Sequence, residues 1–261
     1  MSQKHRVNDK LRLSPATIYE IVSREGSAEL SRKLSALGWS GLAAGFAISF
    51  SMLAEAYIKM YLPETQYKPL IENMGYTFGF IIVIMARLQL FTENTITVML
   101  PLFENPAWRN ISRTLKLWGV VFATNLVGTF IVALLVTKFN FANPEQYEAI
   151  VDLSKHAILR DLSAVFIQGI PAGFLIAALV WMLPSAENNE FFVIFLMIYL
   201  IALGDFTHVV AGSAEAFVLL LANEASMIQA FGYIGMAGAG NIIGGTGLFA
   251  LLAYAQVKDE I

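Results

Sequence analysis

Cysteine is absent from the chain, which removes disulfides, thiol catalysis and thiolate metal sites together. Charge is scarce as well. Only 14% of the residues are charged, the formal net charge is -3 and no long basic run occurs, which argues against a nucleic-acid partner. There are 3 histidines, His5, His156 and His208, with no HExxH spacing, so neither a zinc site nor any other metal site is expected. His5 and His156 lie in polar flanks and receive no role. Residues Met1 to Arg32 lack the apolar core of a signal peptide, so no cleavage is expected and insertion falls to the first apolar span.

What the chain does have is apolar length. With 57% apolar residues in 261 and a mean hydropathy of +0.62, it carries too little polar surface to solvate a globule of its size. The apolar residues gather into runs that match the roughly 20 residues a helix needs to cross about 30 Å of hydrocarbon. Six candidate spans fall at about 37–62, 71–101, 115–138, 160–183, 191–222 and 228–256, and the second and fifth carry polar breaks. The expected organisation is a leader over 1–36, a membrane domain over 37–256 and a tail over 257–261. Within the leader, Ser14-Pro15 reads as an N-cap with proline at the first helical position. It opens an amphipathic helix, with Ile18, Ile21 and Val22 on one side, expected to lie on the membrane face.

Basic residues orient the spans. The leader holds seven Lys and Arg, the flank with Arg109, Arg113 and Lys116 holds three, and Lys258 closes the chain, eleven on one side. The opposite flanks hold Lys68, Lys138, Lys155 and Arg160, four in all. This bias places both termini in the cytoplasm.

An internal repeat is the strongest pattern. Ala44-Gly45-Phe46 recurs as Ala172-Gly173-Phe174, Phe91-Thr92 as Phe206-Thr207, and Asn125-Leu-Val-Gly as Asn241-Ile-Ile-Gly, in the same order. Each copy holds three spans, over about 37–138 and 160–256, so the second enters the membrane from the opposite side and the repeat is inverted. The polar breaks match too, Arg87-Leu-Gln-Leu-Phe-Thr-Glu-Asn94 in one half and Gly204-Asp-Phe-Thr-His-Val-Val-Ala-Gly212 in the other. Broken backbone at membrane depth is tolerated only where it is buried in protein or lines a cavity, so the breaks mark the expected solute path. Freed amides there can attract an anion. His208 sits in the second break, and an unperturbed pKa of about 6.5 lets an imidazole exchange a proton near neutrality. Asp205, Glu93 and Glu215 lie near the breaks as pathway groups, or as mouth groups able to pair with Arg87. The glycines from Gly232 to Gly247 lack the preceding strand and Lys-Ser/Thr ending of a nucleotide loop and read as close helix packing. No cofactor is expected.

These residues resemble the formate/nitrite transporter family over nearly the whole chain. The resemblance rests on Arg-x-x-Leu-Phe-Thr-x-Asn at 87–94, Phe-x-His at 206–208 and Asn241-Ile-Ile-Gly-Gly. It implies an all-α, aquaporin-like fold of six spans in a homopentamer, each protomer with its own pore. By this match Leu90, Phe91 and Thr92 form an omega-shaped loop element, His208 is the central histidine, hydrogen-bonded to Thr92, and Tyr76, Phe80 and Ile201 form the cytoplasmic constriction. Thr207, Glu93 and Asn94 join the pathway. Four departures stand out: Gln89 where the family has an acidic residue, Thr207 where it has Glu before the histidine, Gly212 where it has Asn, and Ala157 where it has a vestibule Lys. Lys155 and Arg160 lie near that last position as candidate vestibule charges. The departures resemble the YfdC-type inner-membrane branch.

The expected function is a pH-dependent channel or proton-coupled transporter for small monovalent anions or their neutral acids, of the formate, nitrite or hydrosulfide class, in a bacterial inner membrane. Two other readings stand beside it. One is a scaffold or sensor that keeps the fold without transport, motivated by the substituted pore positions. The other is a neutral-solute pore, disfavoured because neither break contains Asn-Pro-Ala. An enzyme is not expected, since no nucleophile-base pair or metal-ligand set is visible.

Overall fold

The computed structural model describes residues 12–261, so Lys4, Arg6 and Lys10 of the basic leader, and His5, lie outside the described residues. Those residues form helices and turns, with no strand among them. Helix α1 spans Pro15–Ser31, and its cap forms as the sequence reads: the Ser14 hydroxyl accepts from Thr17 N at 3.2 Å, with proline in the first turn. Its apolar side, however, is seated on protein and not on the membrane face. Tyr19 and Val22 are buried with Ile96, Leu100, Ala177 and Val180, and Ile18 packs at the margin of that cluster. The Tyr19 hydroxyl also donates to the Leu100 carbonyl. A cluster of eight buried residues outcompetes lipid as the partner for this face.

Among the described residues, four helical stretches are long and apolar enough to cross a membrane: Leu34–Tyr61, Trp108–Lys138, Leu162–Leu203 and Met227–Val257. The first two are α2 and, further along, α7. Between them lie α3 (Lys68–Gly75), α4 (Thr77–Met85), α5 (Asn94–Thr97) and α6 (Met99–Glu104). Then follow α8 (Pro144–Ile158), α9 (Leu162–Ala186), a 3-10 turn, α10 (Glu190–Leu203) and α11 (Val209–Ala222). The chain ends with α12 (Met227–Ile242), a π-helical stretch Ile243–Ala250, and α13 (Leu251–Val257).

Helix pairs close on glycine. A Cβ added at Gly45 in α2 would lie 2.0 Å from the Asn125 carbonyl oxygen in α7, and one at Gly173 in α9 would lie 2.1 Å from that of Asn241 in α12. The reverse contacts match: Gly128 of α7 faces the Leu42 carbonyl and Gly244, just past α12, faces the Ile170 carbonyl. Without these small residues the backbones could not approach so closely.

Two segments without regular helix separate α4 from α5 and α10 from α11, and their local structure corresponds residue by residue. Arg87 and Asp205, 118 positions apart, are both left-handed, with φ of 53° and 54°. The turn that ends α4 carries Leu88 N to Val83 O, and the turn that ends α10 carries Phe206 N to Ile201 O. Two buried asparagines then bind the segments. Asn125 accepts from Phe91 N and donates to the Gly41 and Gln89 carbonyls; Asn241 accepts from Val209 N and donates to the Gly169 and Thr207 carbonyls. This geometry corrects one sequence match. Phe206-Thr207 corresponds to Leu88-Gln89, and Leu90 to His208, so pairing Phe91-Thr92 with Phe206-Thr207 is out of register by three residues. Hydrogen-bonding position, not the Phe-Thr wording, defines equivalence there.

Candidate functional site

The two irregular segments meet at one polar contact. His208 caps the N-terminus of α11, where its Nδ1 accepts from Ala211 N at 3.2 Å. With Nδ1 an acceptor, the neutral ring carries its proton on Nε2, which lies 2.7 Å from Thr92 Oγ1. Both residues are buried. Phe80 stands edge-on to the imidazole at 4.9 Å between ring centroids, and Tyr76 lies 5.3 Å from Phe80 in turn. A polar pair enclosed by aromatic rings results, in a molecule whose surroundings offer few other hydrogen-bonding groups.

A cavity lies on either side of this contact. The first, about 470 Å³, is bounded by α1 and includes Glu25, Glu29, Arg87, Gln89, Glu93 and Asn94 in its wall. Helix α1 is tied down there by Arg87 to Glu25 at 2.9 Å and by Gln89 Nε2 donating to Glu29 at 2.8 Å. Asn94 holds the loop by donating to the Gln89 side chain and the Leu90 carbonyl. One buried oxygen of Glu93 has no hydrogen-bond partner among the described residues. The second cavity, about 710 Å³, reaches inward to Thr207 and His208 and outward to α8.

Several residues fall elsewhere than the sequence indicates. Leu90 and Phe91 are buried and line neither cavity; Phe91 packs against Trp118 and Phe122 at 5.6 and 4.7 Å, anchoring the loop. Tyr76, Phe80 and Ile201 do not form a constriction beside the N-terminal helix. Tyr76 lines the second cavity, Phe80 sits between it and His208, and Ile201 is wholly buried. The reason is geometric. Helix α2 leaves the α1 end and runs 28 residues, about 42 Å at 1.5 Å per residue, so residues just past its end belong to the far side. Thr207 lines the second cavity, where its hydroxyl is occupied in donating to the Val165 carbonyl.

Lys155 and Arg160, the candidate vestibule charges, both line the second cavity, and both are ion-paired. Lys155 pairs with Glu224 at 2.9 Å, and Arg160 with Asp205, whose carbonyl it also contacts at 3.2 Å. Lys59 pairs with Asp152 at 2.7 Å, and this hydrogen bond holds the Asp152 carboxyl below the ordinary aspartate range. Each cation that reaches this cavity already has a carboxylate. The sequence reading missed Glu55, Glu72 and Tyr233, which line the same cavity; Glu215 and Asp205, named there as pathway or mouth groups, line it too. A signal existed for Glu55, an ionisable residue inside a long apolar helix.

The family model for the formate/nitrite transporters matches residues 16–255. The chain belongs to the formate/nitrite transporter family. It is 41% identical to the inner membrane protein YfdC of Escherichia coli (strain K12), a match covering 97% of this chain and 82% of that one. It is 25% identical to the uncharacterized transporter YrhG of Bacillus subtilis (strain 168), covering 94% and 95%. Among solved structures, an FNT family ion channel superposes with a TM-score of 0.80 at 16% identity, covering 92% of this chain and 98% of that one. A pentameric formate channel with formate bound superposes at 0.73 and 19% identity, covering 87% and 98%. At these identities the structural matches establish the channel fold of the formate/nitrite transporters.

The departures from the family pattern have local structural partners. At Gly212, a Cβ would lie 2.2 Å from the Tyr233 hydroxyl, so the glycine makes room for that phenol at the cavity wall. Gln89 reaches Glu29 in place of presenting a carboxylate of its own. Ala157 lines the second cavity without charge.

Proposed function

We propose that this protein is a pore or proton-coupled carrier through which small monovalent weak acids of the formate, nitrite or hydrosulfide class cross the membrane in their neutral, protonated form. The observation that carries the reading is the buried Nε2 to Thr92 Oγ1 contact at 2.7 Å between two cavities. An uncompensated carboxylate would pay a large desolvation cost among Phe80, Leu90 and Ile201, whereas the neutral acid keeps a hydrogen-bond donor and acceptor and crosses far more cheaply. The His208 ring and the Thr92 hydroxyl offer that solute partners in the middle of the path. The carboxylates of both cavities favour the neutral acid over its anion for the same reason.

The membrane domain over 37–256 is read as six crossings, three in each inverted half, with the second and fifth interrupted at 86–93 and 204–208. The paired asparagines, the paired left-handed residues and the matching glycine contacts support that topology. Both termini are assigned to the cytoplasm, the 1–36 leader with its α1 and the 257–261 tail included, and the assembly is read as a homopentamer embedded in the lipid bilayer of a bacterial inner membrane.

Uptake of labelled formate into proteoliposomes at two pH values, against empty liposomes, tests the function. Uptake above the control that rises at acid pH, and loses its pH dependence in His208→Ala while assembly is kept, is the expected result. Absence of uptake at either pH removes formate and favours the scaffold or sensor reading, which the ion-paired Lys155 and Arg160 motivate.

A further inference from the structure

The inner end of the second cavity holds carboxyl groups that the fold leaves unpaired among the described residues. Glu215, on α11, is 5% exposed, and Glu55, on α2, is 9% exposed; both line the cavity. Neither has a hydrogen bond or an ion pair among the described residues. Glu72 lines the same space, and one of its oxygens is buried with no partner. The nearby cations do not serve them, since Lys59 is held by Asp152, Lys155 by Glu224 and Arg160 by Asp205. The phenols of Tyr76 and Tyr233 line the same wall, and neither hydroxyl is engaged in a hydrogen bond among the described residues.

Buried carboxylates without a counter-charge are costly, and a cavity that keeps several of them is matched by a ligand that supplies positive charge and donors. A metal ion is the poorer match, because no three His, Asp or Glu side chains among the described residues converge as a metal would require. A nitrogen cation needs less. Its N–H groups reach separate acceptors, and aromatic rings beside it add cation–π attraction. A cation that enters stabilises the ionised form of the carboxyl group it meets, which an anion cannot do.

We propose that the inner end of the second cavity is a binding site for a small monovalent nitrogen cation, of ammonium or methylammonium size, held between Glu55 and Glu215. The site stands on these two side chains and their surroundings and does not depend on the weak-acid reading. Gly212 belongs to it, because a side chain there would collide with the Tyr233 hydroxyl that completes the wall. The cation occupies that inner end and places positive charge beside His208.

Equilibrium binding of radiolabelled methylammonium to the full-length protein purified in detergent tests this. Saturable binding is expected, displaced by ammonium chloride but not by equal concentrations of potassium chloride or sodium formate. Glu55→Gln and Glu215→Gln, near-isosteric changes, each weaken binding about tenfold, with oligomer elution checked against the unaltered protein. Absence of saturable binding to the unaltered protein overturns the proposal, as does equal displacement by potassium, and so does unchanged affinity in both variants. Formate uptake by the unaltered protein is scored separately, so failure of the cation site and failure of the weak-acid function are read independently.

Discussion

Asn125 and Asn241 carry more of the structure than any catalytic-looking residue in the chain. Each is fully buried, and each satisfies one amide and one carbonyl left free where a helix ends, as well as a glycine carbonyl inside a neighbouring helix. In an apolar interior the groups of the irregular segment have no water to turn to, so losing an asparagine orphans two of them. Asn241→Leu is therefore expected to lower stability by about 2 kcal/mol or more, given roughly 1 to 3 kcal/mol for each unsatisfied buried group. Asn241→Asp keeps the size and the acceptor for Val209 N but offers no donor to the Gly169 and Thr207 carbonyls. Unfolding in detergent should show both variants destabilised. An Asp variant as stable as the original would mean that shape alone is what position 241 supplies. The asparagines were legible in the sequence as part of a repeat, but what they bind was not, because the partners are backbone groups that a sequence does not distinguish.

Elements far from the pore set the shape of its mouth. Helix α8 lies across the second cavity and is joined to the end of α2 by Asp152 and Lys59. The Lys59 hydrogen bond lowers the Asp152 carboxyl below its ordinary value of 3.8. A group whose folded pKa is depressed stabilises the fold above its unfolded pKa and loses that contribution as pH falls through the folded value. The Asp152 side chain is 70% exposed, so solvent screening keeps the effect small. Melting profiles at pH 6 and at pH 3 should show that Asp152→Asn is slightly less stable at pH 6 and that the gap closes at pH 3. A gap that persists unchanged at pH 3 would assign the effect of the substitution to packing instead of charge. At this scale the sequence was an uneven guide. Ser14-Pro15 announced the start of α1, since a cap is written in local chemistry, yet the partner of its apolar face was not, because Tyr19 meets residues more than eighty positions away. The cations Lys155 and Arg160 could be counted from the sequence; their partners Glu224 and Asp205 are brought to them only by the fold.

At the scale of the whole molecule, the surface carries large apolar side chains on several helices. Trp39, Phe46 and Phe50 on α2, Trp108 and Leu115 on α7, and Phe192, Leu196 and Leu200 on α10 are all exposed. In water such a surface would aggregate; in a bilayer it meets lipid or another protomer. Membership of the family was readable from motifs in the two interrupted segments because those motifs hold backbone that has left the helix, where few residue types fit. Subunit number has no such local signature, since close packing of small residues and lipid-facing side chains is compatible with several assemblies. The pentameric formate channel that shares this fold is 19% identical to this chain, which carries the fold alone. Native mass spectrometry after gentle extraction is expected to give a species of five times the 28.7 kDa protomer. The path proposed through each protomer at His208 and Thr92 needs no partner residue, so a monomer that still takes up formate would separate the pore from the assembly. A monomer under every mild condition would instead count against the five-fold reading and leave the contacts around Asn125 and Asn241 untouched, because every one of them lies within a single chain.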